Sequence, residues 1–257
     1  MVPLPRVGRS FSGQRKVRLG DVRPDAELRL DALTRYTQDV SNDDTTAAEL
    51  PDDMAWVVRR TTVDVHRPAT FAEDLTFTTF CSGLGRRWAE RRLVVRGRRG
   101  AEYEVSTLWI HLDVETGRPR SLSAEFHALY AEAAQGREVG ARLQNPPLWG
   151  DPERIEWPTR VVDFDVFGHM NNAAYWAVVE ELLPTTVVEA PFRCVIEYGR
   201  GISTGDQVTI ACRRSDGEMD AWWLVDGDSV ASLRIALLGQ RSGTLAVGDP
   251  VLGNEEG

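Results

Sequence analysis

Hydrophobic and polar positions follow one order of elements that occurs twice along the chain. In the first half, a short strand-like run comes before apolar residues at helical spacing over residues 28–40, which Asn42-Asp-Asp should end. Strand-like runs bounded by turn residues follow. The second half repeats this order around an almost wholly apolar helix at residues 173–183, closed by Pro184. The pattern therefore predicts an α+β fold in which each half wraps antiparallel strands around one helix.

The predicted strands are bounded by clusters of turn residues such as Ser82-Gly-Leu-Gly and Glu115-Thr-Gly-Arg-Pro. They cover residues 14–19, 56–67, 74–81, 86–96 and 103–113, and then 155–163, 192–198, 207–213, 219–225 and 230–238. A further helix is predicted at residues 123–134, with Ser123 as its cap, and residues 136–152 form the linker. The halves differ in sequence, so the repeat is one of pattern.

Polar residues collect at the start of the apolar helix, namely Asp165, Gly168, His169, Asn171 and Asn172. The first backbone N–H groups of a helix have no partner inside it, and the helix dipole places positive charge there. A carboxylate, an imidazole and two amides therefore meet at the positive end of a buried helix. In the first half, Asp21 is expected at the place of Asp165, 144 residues earlier, with Pro24 and Asp25 at the places of Gly168 and His169.

The run Asp-x-x-Gly-His-Met-Asn-Asn-x-x-Tyr, from Asp165 to Tyr175, resembles the active-site signature of hotdog-fold thioesterases. The wider stretch from Asp163 to Asn172 resembles the acyl-ACP thioesterases, which carry two hotdogs in one chain. The resemblance implies two tandem hotdog folds, each an antiparallel sheet wrapped around a long central helix. Residues 1–138 would form a degenerate hotdog that shapes the acyl pocket and carries the linker helix, and residues 139–257 the catalytic one.

Thioester hydrolysis needs a group that attacks or activates water, and donors for the oxyanion that develops. Asp165 is the candidate nucleophile or general base, and the sequence leaves both roles open. His169 can orient the carbonyl, hold the water or protonate the thiolate. Backbone N–H groups from about His169 onward are candidate oxyanion donors. The candidate substrate-binding residues are Gly168, Met170, Asn171 and Asn172.

Each of these residues also has a structural interpretation. A single Asp or Asn at a helix start is usually a cap, and Asn171 and Asn172 fit that role well. Asp163 should point away from Asp165, because neighbouring side chains in an extended segment alternate, and it is interpreted as structural.

Two positions depart from the pattern of the acyl-ACP thioesterases. Phe167 stands where plant members have Asn, and Gly201-Ile202 where they have Glu-Cys. Neither Gly201 nor Ile202 can act as base or nucleophile, which leaves Asp165 and His169. A hotdog hydratase is disfavoured because the Asp-x-Asn-Pro-x-His type of run is absent from the sequence. The alternatives are a non-catalytic hotdog that binds acyl thioesters and an acyl-CoA-specific thioesterase.

Composition narrows the class of protein further. The 257 residues are 42% hydrophobic and carry a net charge of −9, which argues against a general nucleic-acid or membrane-surface binder. An arginine run within residues 86–99 is interpreted as an exposed hairpin with solvated charges, with an acidic partner as the alternative. Three scattered cysteines show no metal-like spacing. These features predict a cytoplasmic protein, and the sequence indicates no metal or cofactor. The resemblance implies that it acts on an acyl carrier protein or coenzyme A thioester, as a monomer or homodimer.

Overall fold

The fold was analysed in a computed structural model of the chain, which describes residues 2–49, 55–183, 190–215 and 217–238. The helices are α1 (Leu30–Ala47), α2 (Ala124–Ala134) and α3 (Asn172–Leu182). The strands are β1 (Ser10–Lys16), β2 (Ala55–Arg67), β3 (Asp74–Leu84), β4 (Trp88–Gly97), β5 (Glu102–Leu112), β6 (Glu153–Trp157), β7 (Phe192–Tyr198), β8 (Val208–Ser215), β9 (Glu218–Val225) and β10 (Asp228–Leu237). Pro184, expected to close the second central helix, lies outside the described residues.

All ten strands belong to one antiparallel sheet with the order β1-β3-β4-β5-β2-β7-β10-β9-β8-β6. Each half contributes five strands in an equivalent order, and β2 pairs with β7 at the middle, from Arg60 opposite Glu197 to Val65 opposite Phe192. The predicted α+β class is confirmed. Because the two halves meet strand to strand, the sheet has no break between them.

The helices α1 and α3 pack against each other and against the sheet. On α3, Tyr175 and Trp176 are almost fully buried, and the Tyr175 ring lies 5.4 Å from that of Trp223 on β9. On α1, Leu33 and Val40 are fully buried. Burial of each such side chain contributes about 1.5–3 kcal/mol, so the core between helices and sheet is a main source of stability.

Helix α1 runs beyond its predicted end at Asn42-Asp-Asp. Asp44 is buried there, and its carboxylate accepts hydrogen bonds from Arg9 Nε at 2.8 Å and from the Tyr130 hydroxyl at 3.1 Å. Arg91 Nη1 donates to the same carboxylate. An aspartate in this position would otherwise favour the end of the helix, but hydrogen-bond donors from residues far away in sequence stabilise the Asp44 carboxylate inside it. The prediction for α2 is confirmed, since Ser123 Oγ accepts from Phe126 N at 3.1 Å.

The two first strands end earlier than predicted, and each is followed by a short 3-10 turn, Leu19–Asp21 and Val161–Asp163. The carboxylates of Asp21 and Asp163 close these turns by accepting backbone N–H groups three residues earlier. The expected match of Asp21 with Asp165 is therefore wrong, because Asp21 corresponds to Asp163.

Equivalent hydrogen bonds between backbone atoms show which other residues of the two halves correspond. Arg23 N donates to Glu27 O at 2.8 Å, as Asp165 N donates to His169 O at 2.9 Å. Arg23 and Glu27 therefore occupy the places of Asp165 and His169. Ala26, with φ of 68°, takes the place of Gly168, with φ of 75°.

The arginine run is partly paired. Arg91 reaches Asp44, Arg92 Nη1 lies 2.9 Å from Glu104 Oε2, and Arg96 Nη2 lies 3.0 Å from Glu102 Oε1. These pairs join neighbouring strands or helix and sheet. The other four arginines of the run are exposed and form no ion pair within the described residues, so the interpretation as solvated charges agrees with the structure for Arg86, Arg87, Arg98 and Arg99.

Glu197 on β7 attaches the linker to the sheet. The side chain is 1% exposed, and its two oxygens accept the backbone N–H groups of Gln144 and Asn145 at 2.8 Å. A buried carboxylate that receives several N–H bonds is stable only while they are made. The path of the linker across the sheet therefore depends on this residue.

We expect Glu197→Gln to lower the free energy of unfolding by about 1–3 kcal/mol, because an NH2 group would then face N–H donors that need an acceptor. Urea unfolding measures the effect. The matched control, Glu181→Gln on the exposed side of α3, should change stability little. Equal unfolding midpoints for the two variants would show that the linker bonds do not matter.

Candidate active site

A tight turn at residues 165–168 comes directly before α3. The Asp165 carbonyl accepts from Gly168 N at 3.0 Å, and the Asp165 carboxylate accepts from Phe167 N at 2.9 Å. Gly168 has a φ of 75°, in the left-handed region that glycine adopts without strain. The Asp165 side chain thus holds its own turn and keeps a second oxygen available.

The loop after β7 lies against this turn. His169 pairs with Ser203 in an antiparallel bridge, and Met170 N donates to Ile202 O at 2.8 Å. The His169 ring packs on Gly201, where a Cβ atom would come within 3.1 Å of Cδ2. Position 201 therefore borders the candidate site without contributing a side chain. Ile202 is fully buried in the core.

Asn171 is the N-cap of α3, since its side-chain oxygen accepts from Ala173 N at 2.9 Å. Asp163, just before the turn, forms a bidentate salt bridge with Arg160, in which Arg160 Nη2 lies 2.7 Å from Asp163 Oδ1. The structural interpretation of both residues agrees with these contacts.

Met170 is 4% exposed and belongs to the hydrophobic core. Contact with substrate stays a prediction for Met170 and Asn171.

Two backbone N–H groups around the start of α3 are unpaired. Met170 N and Asn171 N are bonded to Ile202 O and Asp163 O, and Ala173 N to the Asn171 cap. Among the described residues, no acceptor bonds the N–H of His169 or that of Asn172, the first helical residue. The candidate oxyanion donors, expected from about His169 onward, thus narrow to these two, and the Asn172 N–H lies at the positive end of the helix dipole.

Two adjoining cavities connect this helix start with the first half of the chain. The larger has a volume of about 410 Å³, within the usual range for small-molecule sites, and aromatic side chains such as Trp56, Trp109 and Phe126 line it. The smaller shares Gln38, Ser41 and Trp109 with it and reaches Asn172, Trp176 and Tyr198. A ligand group at the start of α3 can therefore extend between α1 and the sheet.

Tyr198 forms part of the wall of the smaller cavity. Its hydroxyl accepts from Trp176 Nε1 at 3.3 Å and donates to Asn172 O at 3.4 Å. Burial raises the pKa of Tyr198 above its ordinary value, so the hydroxyl stays neutral and keeps its proton for the Asn172 carbonyl. The first turn of α3 is thereby held against β7.

The six predicted site residues lie together on the turn and the first turn of the helix. Asp165 is half-buried and His169 is exposed, while the intervening Val166 and Phe167 are 95% and 81% exposed. No hydrogen bond joins the Asp165 carboxylate and the His169 ring within the described part of the chain. Their chemical roles therefore remain predictions.

Sequence reasoning missed Gln38, because its position beside Asn172 arises from the packing of α1 on α3. The only local indication was that Gln38 is a polar residue in a predicted helix, next to Thr37, which is buried. Over the described ranges, no three histidine, cysteine or acidic residues come together as metal ligands. Among the helices described, none is long and apolar enough to cross a membrane.

Two family models match the chain, the acyl-ACP thioesterase N-terminal domain over residues 8–130 and the C-terminal domain over residues 150–232. The chain belongs to the acyl-ACP thioesterase family. The match of both models confirms the resemblance to this family that the sequence motif indicates.

Individual relatives extend this result. An uncharacterized protein of Mycobacterium tuberculosis is 30% identical over 234 residues, which cover 89% of this chain and 92% of that protein. A chloroplastic acyl-[acyl-carrier-protein] hydrolase of Cuphea viscosissima is 27% identical over 157 residues, 58% of this chain and 38% of that protein. The solved 12:0-ACP thioesterase of Umbellularia californica has a TM-score of 0.74 at 21% identity, and the match covers 88% of this chain and 96% of that one.

We expect Asn171→Ala to destabilise the protein by about 0.5–2 kcal/mol, because the cap on Ala173 N is lost. Asn172→Ala is the matched control, since its side chain caps nothing and alanine suits a helix. Thermal unfolding of both variants compares the two positions. A larger loss for Asn172→Ala would contradict the capping assignment.

Proposed function

We propose that this protein is a thioesterase that hydrolyses fatty acyl thioesters of acyl carrier protein, or of coenzyme A, to free fatty acid and thiol. The observation that carries the proposal is that Asn172, whose backbone N–H is unpaired, borders a cavity and follows the Asp165–His169 turn three residues later in the chain. Membership of the acyl-ACP thioesterase family supports the reaction class. The hydrolase of Cuphea viscosissima supports the carrier.

The reaction adds water across the C–S bond. As a general base, Asp165 removes a proton from water, whose oxygen attacks the carbonyl carbon, and the C–S bond then breaks to leave a thiolate that takes up a proton. As a nucleophile, the Asp165 carboxylate attacks the carbonyl carbon and the C–S bond breaks, which releases the thiolate and leaves a mixed anhydride. Water hydrolyses this anhydride in a second step, and the thiolate takes up the released proton. In both routes the oxyanion lies near the Asn172 N–H, and His169 orients the carbonyl or protonates the thiolate.

The two halves have different tasks in this proposal. Each half is one hotdog, with residues 1–138 shaping the acyl pocket and residues 139–257 carrying the chemistry. The cavity bordered by Trp56, Trp109 and Phe126 is the proposed acyl site, because its aromatic walls suit an apolar chain and it adjoins the start of α3. Single hotdogs form such a pair by dimerising, so one chain can act as a monomer.

A second candidate function is binding of acyl thioesters without turnover. The observation that favours it is Gly201 against the His169 ring, at the position where plant members have Glu. Phe167, 81% exposed, likewise supplies no polar group to the turn. Binding of an acyl thioester without release of thiol would support this alternative.

We expect Asp165→Asn to reduce kcat by about 10²- to 10⁴-fold, because an amide is neither a base nor a nucleophile. The asparagine oxygen can still accept from Phe167 N, so the turn and the unfolding midpoint should not change. Thiol release from acyl carrier protein and coenzyme A thioesters of increasing chain length measures the activity and identifies the preferred carrier.

The matched control is Asp25→Asn in the corresponding turn of the first half, where the Asp25 carboxylate accepts from Glu27 N at 3.0 Å. This variant should retain full turnover. Wild-type rates for Asp165→Asn would exclude Asp165 from the chemistry. Absence of thiol release by the wild-type protein on every substrate would exclude the hydrolase function.

A further inference from the structure

The starts of α1 and α3 occupy equivalent places in the two halves, but their first N–H groups differ in pairing. At α1, the Leu30 N–H donates to Glu180 Oε1, a carboxylate from the last turn of α3 that is 8% exposed. Arg23 Nη1 lies 3.5 Å from the other oxygen of Glu180, and Arg23 also pairs with Glu27. A cavity of about 610 Å³ borders this helix start too, but the first N–H of α1 is already bonded to a protein group.

At α3, the equivalent N–H belongs to Asn172, and the residue of α1 that corresponds to Glu180 is Gln38. The same spacing of 142 residues that relates Asp21 to Asp163 relates Leu30 to Asn172 and Gln38 to Glu180. Gln38 and Asn172 both line the smaller cavity. Neither the Gln38 amide nor the Asn172 N–H has a hydrogen-bond partner among the described residues, so the contact made at α1 is not repeated at α3.

The smaller cavity, which Gln38 and Asn172 both border, has room for one small polar group. The smaller cavity has a volume of about 20 Å³, and a site of about 10–15 Å³ is enough for one water-sized group. On the other side of Gln38 lies the larger cavity. A carbonyl oxygen placed in the smaller cavity would thus meet the Asn172 N–H while its acyl chain extends past Gln38.

We infer that Gln38 is a substrate-positioning residue whose side-chain N–H donates to the thioester carbonyl oxygen, opposite the N–H of Asn172. An amide has two donor hydrogens, whereas a carboxylate only accepts. A carboxylate at this place would take the backbone N–H itself, as Glu180 does at α1. The difference between Gln38 and Glu180 thus leaves the first N–H of α3 free for substrate, whereas the first N–H of α1 is occupied. This inference rests on the proposed thioesterase function.

Two variants at this position test the inference, Gln38→Met and Gln38→Glu. Loss of one donor to the oxyanion should reduce kcat of Gln38→Met by about 10²- to 10³-fold while KM changes little. Gln38→Glu should lose turnover and also bind a non-hydrolysable acyl thioether of the preferred carrier more weakly, because its carboxylate takes the Asn172 N–H. Gln14→Met and Gln14→Glu, on the exposed face of β1, are the matched controls and should behave like the wild type.

The possible results separate the two proposals. If the wild-type protein releases thiol, two results would overturn the role of Gln38 and leave the hydrolase function standing. One is an unchanged kcat in Gln38→Met, and the other is an unchanged thioether affinity in Gln38→Glu. Absence of thiol release by the wild-type protein would overturn both. If methionine disturbs folding, as thermal unfolding would show, the near-isosteric Gln38→Glu variant decides through its turnover and thioether affinity.

Discussion

The pairing of β2 with β7 is the constraint on which the rest of the structure depends. These strands would be the edges of two separate five-stranded sheets, and their backbone bonds join the halves into one surface. Asp64 on β2, 4% exposed, strengthens the junction through two hydrogen bonds from Arg193 on β7, at 2.6 and 2.7 Å. A continuous sheet brings α1 and α3 together, so the start of α1 contacts the last turn of α3, and the start of α3 lies at the middle of α1.

This arrangement produces two equivalent helix starts, and the sequence fills them differently. Arg23, Glu27 and Glu180 form a charged cluster around the start of α1. Burial raises the pKa of Glu180, and the Leu30 N–H and Arg23 oppose that rise, so the carboxylate depends on these partners. At α3, the corresponding residue Gln38 is an uncharged amide, and the Asn172 N–H has no partner among the described residues. Both helix starts border a cavity, but only that of α3 keeps its first N–H free.

The sequence predicted those elements that depend only on residues close together in the chain. The apolar run of α3, the Ser123 cap and the glycine turn at Gly168 depend on neighbouring residues, and the structure contains all three.

Features that depend on distant residues could not be predicted. The end of α1 was predicted too early, because Asp44 is stabilised by Arg9 and by residues from β4 and α2, far away in sequence. The match of Asp21 with Asp165 failed for a related reason. Only backbone pairing shows that the first acidic residue in each half closes a 3-10 turn. The place of Gln38 also needs the packing of two distant helices.

Gly201 and His169 depend on each other. A Cβ atom at position 201 would already lie 3.1 Å from the His169 ring, so a longer side chain there requires the ring to move. The same loop also binds the turn through Met170 N and places Ile202 in the core, where a polar replacement would leave an unpaired group. The departures from the plant pattern at positions 201 and 202 are therefore accommodated by packing around His169. With no side chain at position 201 to act as a base, the proposed chemistry depends on the turn that holds Asp165 and on the start of α3.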